Sequence, residues 1–323
     1  MTDTELVSPP QDGISSVVFS PTSNLLLVAS WDKTCRLYDV DSNTLKFTFS
    51  HDAPVLDCAF LDDTTAFGAG IDKQLHKYDL TTGKSSVVGS HSEAIKCVEC
   101  SIKHGVVITG SWDKTIKLWN LESLECVGEY AQPDKVYTMA LADDRVIVGM
   151  AGRHVWVWNL NNMSAVEQRR ESSVKFQTRC IRAMPDAQGY VLASIEGRVA
   201  VDYLDPSESS QKRKFAFKCH RSKENGRDVI YPVNAVAFHP TFGTFATGGC
   251  DGLVNVWDGV NRKRVYQFHE YPTSIASLSF NHDGSLLAIA ASYTYEEGDK
   301  PHPPDAIFIR RITEENVKPK PRS

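Results

Sequence analysis

His91, Ser111 and Asp113 are the side-chain types of a base, a nucleophile and an orienting acid, so acyl transfer is the first chemistry to weigh. No GxSxG occurs to carry a serine nucleophile, and GxxxxGK[ST] and GxGxxG are absent too. Hydrolase, phosphate-loop and dinucleotide readings therefore have no anchor. A second constellation imitates a zinc deaminase, since His91-Ser-Glu93 followed by Cys97-Val-Glu-Cys100 approximates H-x-E and P-C-x-x-C. It fails because Lys96 stands in the proline position and only Ala94, Ile95 and Lys96 separate the two halves. In addition, residues three apart on a strand face opposite sides of the sheet. The expectation is a protein with no catalytic residue, no metal and no cofactor.

Binding chemistry remains. The chain carries a net charge of −5, yet residues 169–227 hold 13 Lys and Arg against 7 Asp and Glu, a local +6 that leaves −11 for the rest. A confined basic field in an acidic chain suits an acidic or phosphorylated ligand better than nucleic acid, which goes with a strongly basic domain. Arg179, Arg198 and Lys218 fall in this window. Two guanidiniums and an ammonium match a carboxylate or a phosphate dianion, Arg as a planar fork and Lys as a point charge.

The elements that position these residues follow from composition and repetition. With 323 residues, 41% hydrophobic and 23% charged, the chain has the profile of a folded protein. No apolar run approaches the ~18 residues of a membrane span, and Met1 to Pro10 lacks the basic start and apolar stretch of a signal peptide, so an intracellular location is expected. The 8 cysteines are scattered through apolar segments and read as reduced, buried thiols.

SWDKTCRLYDV at 30–40, GIDKQLHKYDL at 70–80 and SWDKTIKLWNL at 111–121 are copies of one unit. The aromatic near each end recurs at Tyr38, Tyr78, Trp119 and Trp158, and the period continues less regularly through Asp202, Trp257 and Arg310, making seven copies. Each copy begins with a strand that is β-branched or apolar at alternate positions, such as 14–20, 55–60, 95–100, 136–141, 180–184, 233–238 or 275–280. A short apolar strand, a tight Gly/Ser/Asp turn and a third strand follow, and no segment has a helical period.

Repeats of this length with GSH, GS-x-D and Trp-Asp-like signatures resemble the WD-repeat family over nearly the whole chain. The resemblance implies an all-β, seven-bladed WD-repeat β-propeller. A single blade cannot bury both faces of its sheet, so neighbours must stack and the ring must close. The last blade shows three strands after Pro272, and family closure implies that Glu5 to Ser8 supplies the fourth. Residues 1–312 are then one propeller, and 313–323 a disordered tail, with Lys318 to Arg322 basic and Pro-rich. In blade three, His91, Ser111, Asp113 and Trp119 match the family's hydrogen-bonded structural tetrad, which turns the apparent catalytic group into scaffold. The resemblance also places on the top rim the residue seven before each aromatic position: Trp31, Ile71, Trp112, Ala151, Ile195 and Cys250. This is an apolar ring with two tryptophans, suited to a peptide crossing the face. The same placement brings Arg179, Arg198 and Lys218 to that rim.

GISSVVFSP at 13–21, RRESSVKFQTRCIRA at 169–183, SIEGRVAV at 194–201, FAFKCHR at 215–221, YPVNAVAFHP at 231–240 and YPTSIASLSF at 271–280 are similar to the spindle-assembly-checkpoint propellers of the budding-uninhibited-by-benzimidazole type. The messenger-RNA-export propellers of the nuclear pore share QTRC, SIEGRV and KCHR. The SWDKT turn at 30–34, the short N-terminus and YPTSIASL favour the checkpoint group. What this implies is a noncatalytic, monomeric adaptor of the nucleus and kinetochore, present also in the cytoplasm, that binds neither nucleic acid nor membrane. Its implied partners are a checkpoint kinase and a kinase-related protein, a phosphorylated kinetochore scaffold and the inhibitory assembly of the anaphase-promoting complex. By motif, Trp31, Arg179 and Trp112 would hold a Glu-containing partner segment. Arg198 and Lys218 would read phosphothreonine in Met-Glu-Leu-Thr repeats. The alternative is an export adaptor holding a nucleoporin segment. Tyr293 to Asp305, an acidic, Pro-rich insert, departs from the repeat and is either an edge of the binding face or a loop.

Overall fold

Each repeat folds into one antiparallel sheet of four strands, and seven such sheets lie within residues 3–319, the part that the computed structural model describes. In blade three the strands are Ile95–Ser101, Val106–Ser111, Thr115–Asn120 and Cys126–Ala131, joined in that order. The second strand is buried along its whole length, the third alternates and the fourth is largely exposed, so burial falls from the second strand outward to the circumference. Both faces of the inner strands are apolar and need a neighbour on each side. One cluster accordingly joins Leu27, Leu37 and Phe49 of blade one to Val55, Cys58 and Tyr78 of blade two.

The ring closes through the N-terminus. Thr4–Glu5 pairs antiparallel with Ala306–Arg311, Thr4 opposite Ile309, and the Leu6 N–H continues the ladder to the Ile307 carbonyl at 2.9 Å. The closing strand thus begins one residue earlier than the expected Glu5 to Ser8. Val7 and Ser8 have already turned toward blade one, where Ser8 (φ 50°) accepts from the Tyr38 hydroxyl. Leu6 is buried among Ile14, Tyr38 and Ile309, so the closure is apolar as well as hydrogen-bonded.

Two features of the inner strands govern the hub. Their free edges would leave N–H groups unpaired. Side chains of the adjoining blade accept several of them: Ser277 and Ser279 from Val17 and Phe19, Asp57 from Val98, and Thr138 from Ile181, all at 2.8–3.0 Å. In addition, every inner strand breaks register with the second strand near its start, between Ile14 and Ser16, Val55 and Asp57, Ile95 and Cys97, Val136 and Thr138, Thr178 and Cys180, Val233 and Ala235, and Ile275 and Ser277. Each break is a bulge whose extra residue is released from the ladder and re-aimed.

Two expectations need correction. Periodicity shows no helix, yet Glu208–Gln211 and Glu314–Val317 are single helical turns, too short to leave a periodic signal. The chain also does not leave the propeller as a tail at 313. Val317 is buried against blade six with Val265 and Phe268, and its carbonyl accepts from Thr244 Oγ1 at 2.7 Å. One apolar residue in a polar stretch suffices to dock it. Of the proposed tail, residues 320–323 lie outside the described residues.

Candidate functional site

In blade three the His91, Ser111 and Asp113 group resolves into scaffold, with one substitution of roles. The Trp119 indole N–H donates to Thr109 Oγ1 at 2.9 Å, Thr109 meets His91 Nε2 at 2.7 Å, and His91 Nδ1 meets Asp113 Oδ2 at 2.9 Å. The relaying hydroxyl is therefore Thr109 and not Ser111. Both side chains point to one face of the strand, but Ser111 lies at its end, where Oγ bonds the Ala94 carbonyl at 2.9 Å and caps the turn through the Asp113 N–H. Burial lowers the His91 pKa against the pull of Asp113. Burial would raise the Asp113 carboxyl, but donors from Thr115, Ser92 and His91 hold it below its ordinary range. Both His91 nitrogens are occupied and Ser111 does not touch them, so no nucleophile–base pair exists here.

Thr109→Val, nearly isosteric, should lower the unfolding free energy by about 1–3 kcal/mol by leaving His91 Nε2 and the Trp119 N–H unpaired. Urea unfolding measures this. Unchanged stability would remove Thr109 from the relay.

The bulge residues assemble the site. Ser15, Leu56, Lys96, Arg179, Asn234 and Ala276 line one cleft of about 590 Å³ at the top of the hub, together with Trp31, Trp112 and the segment Tyr293 to Tyr295. Six blades contribute, because the bulge sits at the same level in each. Trp31 is 47% exposed, and its indole lies along Gly13, whose missing Cβ would stand 3.5 Å from Cδ1. Trp112 is half-buried, and its indole N–H is buried without a hydrogen-bond partner. Among the described residues neither Arg179 nor Lys96 has a hydrogen-bonded or ion-paired acceptor. The cleft thus offers two apolar plates, an unused N–H donor and two free cations, the means to hold an extended acidic segment with an apolar anchor.

Not all the rim residues converge. Trp31, Ile71, Trp112, Ala151, Ile195 and Cys250 make the same backbone bond to the loop before their blade's first strand. Only Trp31 and Trp112 line the cleft; Cys250 is engaged by Asn234 and Thr294, while Ile71, Ala151 and Ile195 lie outside it. Small or branched side chains on a widening rim do not reach back to the hub. The insert forms a wall: Tyr293 to Tyr295 face the cleft, and Glu296 fixes their approach by accepting from Ser274 and Thr294.

Arg198 and Lys218 stand apart from this cleft. They are direct cross-strand partners in blade five, at the start of its third strand and the end of its fourth. Arg179 lies in the first strand of that sheet, so two strand spacings, about 10 Å, separate its backbone from that of Arg198. Arg198 Nε donates to Glu196 Oε1 at 3.1 Å, while Lys218 is exposed and has no side-chain partner among the described residues. Opposed side chains in such a pair sit about 5 Å apart at Cβ, close enough to share one phosphate.

Sequence reasoning missed Lys96 as a cleft residue and Thr109 as the relay; of its two readings of the Tyr293 to Asp305 insert, edge of the face or loop, Tyr293 to Tyr295 take the first. A usable signal exists for Lys96: it directly follows the β-branched residue that opens its inner strand, as Arg179 follows Thr178.

The WD domain, G-beta repeat family matches residues 4–39, 84–120 and 216–258. Full-length similarity is found to the mitotic checkpoint protein BUB3.1 of Arabidopsis thaliana, 55% identical over 98% of this chain and 95% of the relative. The mitotic checkpoint protein bub-3 of Caenorhabditis elegans is 42% identical over 97% and 94%. The mRNA export factor GLE2 of Chaetomium thermophilum is 35% identical over 99% and 93%.

Proposed function

The chain belongs to the family of mitotic checkpoint BUB3 proteins, and from that premise we propose a noncatalytic adaptor with two ligand sites on one face. The cleft between Trp31, Trp112 and Arg179 receives an extended, Glu-containing segment of a checkpoint kinase or its kinase-related partner. The Arg198 and Lys218 pair takes the phosphothreonine of Met-Glu-Leu-Thr repeats in a kinetochore scaffold. Holding both at once brings the kinase to unattached kinetochores, and places the protein in the nucleus and at the kinetochore in mitosis. The anaphase-promoting-complex inhibitory assembly is a further destination, reached through the same kinase-related partner.

The observation that carries this reading is the pairing of exposed Trp31 with the unpartnered Arg179 in one cleft. An apolar plate beside a free guanidinium selects a peptide with a carboxylate next to a bulky side chain. Pull-down from mitotic cells, with and without phosphatase, tests it. The kinase should be retained in both arms and the scaffold lost after phosphatase. Recovery of a Gly-Leu-Phe-Gly nucleoporin in place of both would overturn the reading in favour of export.

A further inference from the structure

Blade two repeats the scaffold of blade three with three substitutions that change its chemistry. His51 and Asp72 occupy the places of His91 and Asp113, with His51 Nδ1 2.7 Å from Asp72 Oδ2. Gly68 replaces Thr109, and Tyr78 replaces Trp119; a Cβ on Gly68 would lie 2.1 Å from the Tyr78 hydroxyl oxygen. The phenol therefore fills the vacated space and meets His51 Nε2 at 2.5 Å. The remaining substitution is His76, third residue of the strand Gln74–Asp79. Blade three has Lys117 there, with Nζ reaching the Ser90 carbonyl at 3.1 Å, and blade one has Arg36, paired with Asp32 at 2.8 Å. His76 instead turns Nε2 toward Asp72 Oδ2 at 3.1 Å, and its ring lies 3.8 Å from that of His51.

We infer that His51 Nδ1, His76 Nε2 and Asp72 form a binding site for a zinc-class divalent cation. Their three ligand atoms lie within 4.8 Å of one another, and the side chains are only 0%, 11% and 3% exposed, so they are already ordered in a desolvated place. Two imidazoles and one carboxylate are the donor set of borderline ions, Zn²⁺ and Co²⁺, and not of Mg²⁺ or Ca²⁺, which take oxygen. Metal–ligand bonds of about 2.0–2.1 Å place tetrahedral donors about 3.3 Å apart. The His51–Asp72 pair must open by about 0.6 Å and the His76–Asp72 pair by about 0.2 Å, within the reach of side-chain torsions. Three protein ligands leave a fourth position for solvent at the His76 side.

Protons balance without loss. In the metal-free state Asp72 Oδ2 accepts from both imidazoles. On binding, each neutral ring moves its N–H to the far nitrogen; the Tyr78 oxygen then accepts from His51 Nε2–H and turns its own proton toward the neighbouring Cys35 sulfur, orienting the ring as outer-sphere partners of metal-bound histidines do.

The probe is Co²⁺ added to the chelator-treated full chain, with Zn²⁺ as competitor. The expected result is one equivalent bound, with the visible d–d bands of four- or five-coordinate Co²⁺ bleached by Zn²⁺, and a Zn²⁺-dependent rise in melting temperature of about 2–4 °C. His76→Lys, which installs the residue of blade three, should abolish the bands and the rise while the metal-free melting temperature stays near that of the parent. His76→Gln, the neutral counterpart, should do the same. Absence of saturable Co²⁺ binding, or bands that persist in both variants, overturns the site. Bands lost only together with the metal-free melting transition in both variants would also overturn it, since His76 would then be scaffold.

Discussion

Trp31→Ala should weaken binding of the Glu-containing kinase segment by about 2 kcal/mol or more, roughly 30-fold, with no change in melting temperature. The size follows from placement. The indole is half-exposed at the top of the hub, rests on Gly13, and belongs to none of the buried clusters, so the free protein loses nothing structural with it. With a segment seated there it would be the central apolar plate of a cleft that otherwise presents Arg179, Lys96 and the tyrosines of the insert. Arg179→Lys should lose less than Arg179→Ala, because the charge survives and the bidentate fork does not. Calorimetry with a synthetic segment decides the matter. An unaltered dissociation constant for the folded Trp31→Ala protein would remove Trp31 as the anchor.

Arg198→Ala or Lys218→Ala should weaken a phosphothreonine peptide ten- to a hundred-fold while leaving the unphosphorylated kinase segment unaffected. A phosphothreonine carries about −1.5 to −2 charge at pH 7, and each charge-assisted hydrogen bond contributes roughly 1.5–3 kcal/mol. Among the described residues, Lys218 has no competing carboxylate, and Arg198 has one N–H committed to Glu196 and its remaining donors available. Attraction between a dianion and two partly exposed cations is screened by salt, so added salt should weaken this peptide more than the apolar segment. Matched Thr, phosphothreonine and Glu peptides make the measurement. Equal affinity for the three, or loss of both ligands in a folded Arg198→Ala protein, would dismantle the separation of the sites.

The repeat was legible because it is local. Tyr38, Tyr78 and Trp119 recur at the sheet's own spacing, and alternation along 14–20 or 95–100 is imposed by the strand itself. The closure by Leu6 was legible only as a requirement that the last blade find a fourth strand, and its register came one residue away. Ser111 was mistaken for the relay because period two puts Thr109 and Ser111 on the same face, and only the height of each along the strand tells them apart.

By itself, then, the sequence determined the number of blades, the order of strands within each, the turns that carry Trp31 and Trp112, and the clustering of positive charge in 169–227. These are consequences of neighbours a few residues apart. Tertiary structure alone decided which rim residues meet. Lys96 and Arg179 share a cleft because a bulge recurs in every inner strand and the ring closes through Ile307 and Leu6, so residues more than eighty positions apart stand at one level of the hub. Arg198 and Lys218 become neighbours only through strand pairing across the intervening loop and helical turn. Bulge position and ring closure depend on contacts between distant segments, which no local pattern of residue types records.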